Sequence, residues 1–186
     1  MFLQKLRSET EALHKSLEQN AISARLVSDH VTLTDYSNYL EKLYGFIAAF
    51  EHEFAASLSN HFPFIPITAK ANLLAQDLTA MNIHVDQLVI MPSSQMHQLY
   101  SSVYEQLGGW YVLEGSSLGG MVLKKHLESK LGPVSTAYFN VYGERTGTTW
   151  KAFLQQLNTI AAQSNAEAQV ISGAVKTFRS LKEWME

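Results

Sequence analysis

Apolar side chains recur along this chain at intervals of three and four, the period of a helix that buries one face. Leu3, Leu6, Thr10, Leu13 and Leu17 make such a stripe over residues 2–18. Leu33, Tyr36, Leu40, Leu43, Ile47, Phe50, Phe54 and Leu58 make a longer one over residues 33–58. Thr32, followed by Asp35, supplies an N-cap for the second helix, and His61-Phe-Pro-Phe-Ile-Pro66 ends it. A further helix carries Ile67, Ala71, Leu74, Leu78 and Met81 on one face. Ile83-His-Val85 alternates like a strand but is short, and Pro92 breaks the chain, so residues 82–94 read as a loop. Helical spacing resumes at Met96, Leu99, Val103 and Leu107 and runs on through a glycine-rich stretch to Gly132-Pro133. Residues 139–148, with Gly143 and Gly147, form a structured loop, and two last helices lie near 148–161 and 164–185. The latter carries Val170, Ala174, Phe178, Leu181 and Met185. No repeat or linker interrupts the pattern. It predicts one all-α domain over residues 1–186.

The glycine-rich stretch breaks the local rule. Gly108, Gly109, Gly115, Gly119 and Gly120, five of the chain's ten glycines, fall within thirteen residues that otherwise read as helix. Each interior glycine costs a helix about 1 kcal/mol relative to alanine. In exchange it lets main chain approach closely and lets the helix bend. Gly115 and Gly119, one turn apart, share a face beside Ser116 and Gly120. That face admits either a neighbouring helix or a flat ligand.

Composition narrows the function. The chain is 46% apolar and 17% charged, which is ordinary globular composition. A net charge of −3, with neither a basic arm nor a charge run, argues against nucleic-acid and anionic-membrane partners. With no cysteine, disulfides, thiolate nucleophiles and cysteine-bound metals are excluded. The opening Met1-Phe-Leu-Gln-Lys-Leu-Arg7 lacks the apolar core of a signal peptide, and no stretch approaches a membrane span. The expectation is a soluble cytoplasmic protein.

Among the seven histidines, His14 has the most suggestive setting. It lies beside the apolar stripe of the first helix, with Arg7 two turns earlier, about 10 Å along the axis on nearly the same face. A neutral imidazole can ligate iron, and a guanidinium can hold an anionic substituent of the same ligand. The bland alternative is a partly buried, hydrogen-bonded histidine. Glu11-Ala-Leu-His14 is half of a carboxylate di-iron pattern, but no second Glu-x-x-His exists. Gly115-Ser-Ser-Leu-Gly-Gly120 follows no strand and lacks the Gly-Lys-Ser/Thr ending of a phosphate loop. Ser116 and Ser117 have no identifiable base, which argues against hydrolase chemistry. Tyr111 and the other aromatics at helical spacing are ordinary core candidates as well as candidate pocket walls.

Two segments together resemble the haem oxygenases, and within them the bacterial type that supplies biliverdin to bacteriophytochromes. Leu6-Arg-Ser-Glu-Thr-Glu-Ala-Leu-His14-Lys-Ser-Leu-Glu18 resembles that family's proximal helix. Tyr111-Val-Leu-Glu-Gly115-Ser-Ser-Leu-Gly-Gly120 resembles its distal helix. Phe139-Asn-Val-Tyr-Gly-Glu-Arg-Thr-Gly147, followed by Trp150-Lys-Ala-Phe153, resembles the segment after it, and the helix order agrees over nearly the whole chain.

The resemblance implies a haem-oxygenase-like helical bundle with a glycine-bent distal helix. It implies haem as both substrate and cofactor, cleaved with O2 and electrons to biliverdin, carbon monoxide and iron. An external ferredoxin or reductase would supply the electrons. His14 becomes the axial iron ligand. Gly115, Ser116, Gly119 and Gly120 face the reacting side, while Arg7 and Lys151 lie where the family places basic groups near the propionates. Tyr111 and Phe178 line the pocket. Glu11, one turn from His14, is the carboxylate that could alter the ligand's electron donation. Mammalian-type members carry an aspartate at the position of Ser116, which leaves open how protons reach the site here. The alternative function is a haem- or bilin-binding carrier of the same fold.

Overall fold

The long third helix shows how local chemistry sets the element boundaries in the computed structural model, which describes residues 1–186. Thr32 Oγ1 accepts from the Asp35 main-chain N–H at 3.1 Å, and the Asp35 carboxylate accepts from the Thr32 N–H at 2.9 Å. This reciprocal box satisfies two donors that a helix start leaves unpaired. It opens α3, Leu33–His61. Before it come α1, Phe2–Glu18, and the short α2, Ala21–Leu26. After it come α4, Lys70–Ala80; α5, Ser93–Leu99; α6, Val103–Gly115; and α7, Ser117–Leu131. The chain closes with α8, Thr146–Gln163, and α9, Glu167–Met185. Single 3-10 turns lie at Val85–Gln87, Tyr138–Asn140 and Gly143–Arg145, and there is no strand. No helix is long and apolar enough to cross a membrane.

The core is organised around α6 and α9, the most extensively packed pair. Their contact depends on glycine at both ends. A Cβ at Gly108 would stand 2.1 Å from the Val170 carbonyl oxygen, and one at Gly173 would stand 1.9 Å from the Glu105 carbonyl oxygen. Neither site tolerates a side chain, so the two helices meet main chain to main chain. α1 lies along α9, and α3 packs on α4, α6 and α9. Tyr36, Phe46, Phe50, Trp110 and Phe153 fill the space between, all buried.

Three features depart from the sequence reading. Helical spacing from Met96 to Leu107 suggested one continuous helix, yet the chain extends at Tyr100 and restarts at Ser102. The Ser102 hydroxyl caps the Glu105 N–H at 3.3 Å, and the Glu105 carboxylate receives the Ser101 N–H at 2.7 Å. The Tyr100 side chain turns inward, its hydroxyl 2.7 Å from Thr177 Oγ1. Secondly, the glycine-rich helix is interrupted at Ser116, which separates α6 from α7. Ser116 and Ser117 each donate to the carbonyl three residues back, at 2.7 Å, a pattern that competes with helix hydrogen bonds. Thirdly, α2 carried no signal in the apolar spacing. It is opened by the Asn20 side chain, which accepts from the Ser23 N–H at 2.8 Å.

Candidate functional site

His14 lies on the surface of α1, its side chain 56% exposed, and its ring meets the edge of Phe178 on α9 at 5.7 Å between centroids. The α1–α9 packing that seats the helix thereby also holds the imidazole. The carboxylate beside the ring is Glu18, 3.5 Å from Nδ1. Glu11 instead pairs with Lys15 at 2.6 Å, so the sequence expectation that singled out Glu11 is corrected. With Nδ1 turned to Glu18, Nε2 is the nitrogen left for a ligand.

One turn before His14, Thr10 lies close to the Tyr111 phenol of α6, as does Arg7. Burial pushes the Tyr111 phenol up, and the Thr10 hydroxyl and the Arg7 charge oppose that shift. This contact ties α1 to the glycine-rich segment. His14 lies four residues beyond Thr10, and Gly115 four residues beyond Tyr111. Trp150 of α8 backs the seam, 5.4 Å from Tyr111 between ring centroids, and lies 3.4 Å from where a Gly115 Cβ would stand. Arg7 and Lys151 are both exposed.

The clustered glycines separate into two groups. Gly108, Gly109 and Gly120 are explained by packing; a Cβ at Gly120 would lie 2.4 Å from the Phe139 carbonyl oxygen. At Gly119 a Cβ would meet nothing within 4 Å, and at Gly115 only ordinary contact with Trp150. Gly119 therefore leaves its face open, and the Trp150 ring borders that face at Gly115. A flat ligand with iron at its centre fits these residues. No three His, Cys, Asp or Glu side chains gather as a metal site. A single imidazole suits an iron whose other in-plane positions a macrocycle already fills.

Behind the glycine face lies a buried polar layer that the apolar pattern did not reveal. Lys70 Nζ and Glu114 Oε2 are 3.1 Å apart, both side chains 1% exposed, though not aligned as a hydrogen bond. The Lys70 ammonium also lies 5.1 Å from the Tyr142 ring centroid and 5.8 Å from that of Trp110. Glu51 accepts the Lys70 main-chain N–H at 2.6 Å and so caps α4 from a distance. Burial holds its carboxyl above the usual carboxylate range, only partly opposed by the two N–H groups at the start of α4. Asp77, fully buried, accepts from Ser135 Oγ at 2.5 Å, Ala137 N at 2.7 Å and Tyr138 N at 2.9 Å. Tyr138 and Ser116 hydroxyls are 2.8 Å apart. Glu114 stood inside the quoted glycine motif, but Lys70 and Tyr138 are distant in sequence and gave no local sign.

The family model described as heme oxygenase matches residues 1–186. No curated protein sequence matches the chain. Among solved structures, the chain is similar to the NO- and CO-bound heme oxygenase of Neisseria meningitidis. That match has 25% identity and a TM-score of 0.77, covering 99% of this chain and 89% of that one. It is also similar in fold to heme oxygenase-1 of the cyanobacterium Synechocystis in complex with heme. There the identity is 17% and the TM-score 0.77, with 99% and 90% of the two chains covered.

Proposed function

The chain belongs to the haem oxygenase family, and from that premise we propose which of its residues hold the haem and shape the reaction. Haem, when bound, supplies the iron and the conjugated ring that is oxidatively opened to biliverdin, carbon monoxide and iron. His14 would hold the iron, its Nε2 being the nitrogen not turned to Glu18. Phe178 fixes the plane of that imidazole, and Glu18 on the other ring nitrogen sets its orientation. At 3.5 Å and largely exposed, Glu18 gives the ring a weak partner, so the imidazole stays a moderate donor.

Gly119, with Gly115 beside it, would present main chain to the other face of the haem. Their missing side chains leave room for O2 and water. The interruption at Ser116 would let the segment follow the haem face, and its closeness would shape which edge of the ring stays exposed. Gly120 contributes through packing on Phe139, which holds the segment in place. Arg7 and Lys151 provide exposed cations for the propionates, and Tyr111 closes the seam between α1 and α6. Electrons come from an external ferredoxin or reductase, and the reaction runs in the cytoplasm.

The observation that carries this assignment is the open face at Gly119, bordered at Gly115 by the Trp150 ring, in a protein whose exposed histidine lies one turn from the same seam. Hemin titration of the intact protein and of His14→Ala tests it. The substitution removes the absorption and electron-resonance pattern of a histidine-bound ferric haem. Turnover falls by more than roughly 100-fold, since losing even a group that hydrogen-bonds a metal ligand costs about 10–100-fold. Unchanged spectra would eliminate His14 as the ligand.

A further inference from the structure

We propose that the buried Tyr138 hydroxyl is a positioning residue for the reacting face: it donates to Ser116 and thereby leaves the Ser116 proton free to turn outward, toward water or ligand beside the bound haem. The inference rests on the haem reading of the site. Ser116 Oγ lies 2.7 Å from the Leu113 carbonyl oxygen and 2.8 Å from the Tyr138 oxygen. A serine hydroxyl has one proton and two acceptor positions. The carbonyl can only accept, so the Ser116 proton goes to Leu113 in the arrangement seen. Tyr138 must then be the donor.

The phenol has nowhere else to place its proton. Tyr138 is 3% exposed, and Ser116 is the only hydrogen-bond partner of its hydroxyl. Its backbone is held from both sides. The Tyr138 N–H donates to the buried Asp77 carboxylate at 2.9 Å. The following residue, Phe139, occupies the notch that Gly120 leaves. Ser116, by contrast, is exposed and sits at the break between α6 and α7. With Tyr138 donating from behind, Ser116 can exchange its Leu113 contact for an outward one by rotating a single O–H. It remains hydrogen-bonded in either state.

The ionisable groups facing the phenol are Tyr39, Glu51 and Glu114. Burial and these groups push its ionisation far up, with the Ser116 contact acting in the opposite direction, so Tyr138 remains a donor at any working pH.

Haem-loaded Tyr138→Phe, Ser116→Ala and the double variant test the proposal. The readout is the pH midpoint at which the ferric complex passes from its acid to its alkaline spectrum. Tyr138→Phe keeps helical circular dichroism and hemin affinity but shifts the midpoint by roughly half a pH unit or more, the scale of a lost hydrogen bond. Ser116→Ala shifts it comparably, and the double variant goes no further than Ser116→Ala alone. A Tyr138→Phe midpoint equal to that of the intact protein, or single shifts that add in the double variant, overturns the proposal. Should Tyr138→Phe fail to fold, the haem-free Ser116→Ala protein decides. Its tyrosine ultraviolet difference spectrum shows a phenol that has lost its acceptor, and a flat difference spectrum counts against the pairing. Intact protein that ignores hemin overturns the site reading itself, and this inference with it.

Discussion

A lysine ammonium taken out of water needs a counter-charge, and Lys70 finds Glu114 immediately before Gly115. Burying both groups costs several kcal/mol, which their attraction only partly offsets. Removing one partner is worse, because the other is left charged and dry. Glu114→Ala is expected to destabilise the protein by about 3–5 kcal/mol, whereas Lys70→Met combined with Glu114→Leu recovers most of that loss. Denaturant midpoints of the three proteins check this, and equal single and double losses would contradict it. At this scale the sequence was partly legible. His14 does meet Phe178 across α1 and α9, and the Arg7 charge acts on the Tyr111 phenol of α6. Glu11 turned to Lys15 instead, because an i,i+4 lysine on the same helix was within reach. Lys70 and Tyr138 were invisible because their meaning depends on residues tens of positions away.

Among the elements, the glycine-rich segment shows why one residue type carries two meanings. At Gly120 the obstacle to a side chain is the Phe139 main chain, which cannot swing aside. Gly120→Ala should therefore cost about 1–3 kcal/mol as an overpacked site. A Cβ at Gly119 meets no protein atom within 4 Å, so Gly119→Leu should gain about 1 kcal/mol of helix propensity. It should nevertheless block hemin binding. Thermal melts beside hemin titrations separate the two: a Gly119→Leu protein with intact affinity and turnover would remove Gly119 from the site. The apolar period recovered the long helices within a few residues. It missed the α5–α6 break because the apolar spacing continues through it. Only the Ser102-x-x-Glu105 cap and the inward Tyr100 mark the boundary.

For the molecule as a whole, Glu105 is the clasp between α6 and α9. Its carboxylate receives Lys176 Nζ at 2.7 Å and 2.8 Å and Ser172 Oγ at 2.8 Å, both from α9. Burial raises the Glu105 carboxyl, but Lys176, the Ser101 N–H and the Ser172 hydroxyl more than reverse this and hold it down to about 2. A carboxyl depressed in the folded state adds stability above its ordinary pKa of 4.5, and that stability is lost as pH falls toward about 2. Glu105→Gln should thus be clearly less stable than the intact protein at pH 7, and the gap should close on acidification. A gap in denaturant midpoint that stays constant between neutral and acid conditions would contradict the clasp.

The packing of α1 on α9 bears on how the protein is made. α1, with the proposed ligand His14, leaves the ribosome well before α9, whose Phe178 meets the imidazole ring. At roughly 5–20 residues per second, the wait is on the order of 10 s. On the proposed assignment, a nascent chain therefore offers haem no finished proximal wall until α9 has emerged, and pigment capture waits for it.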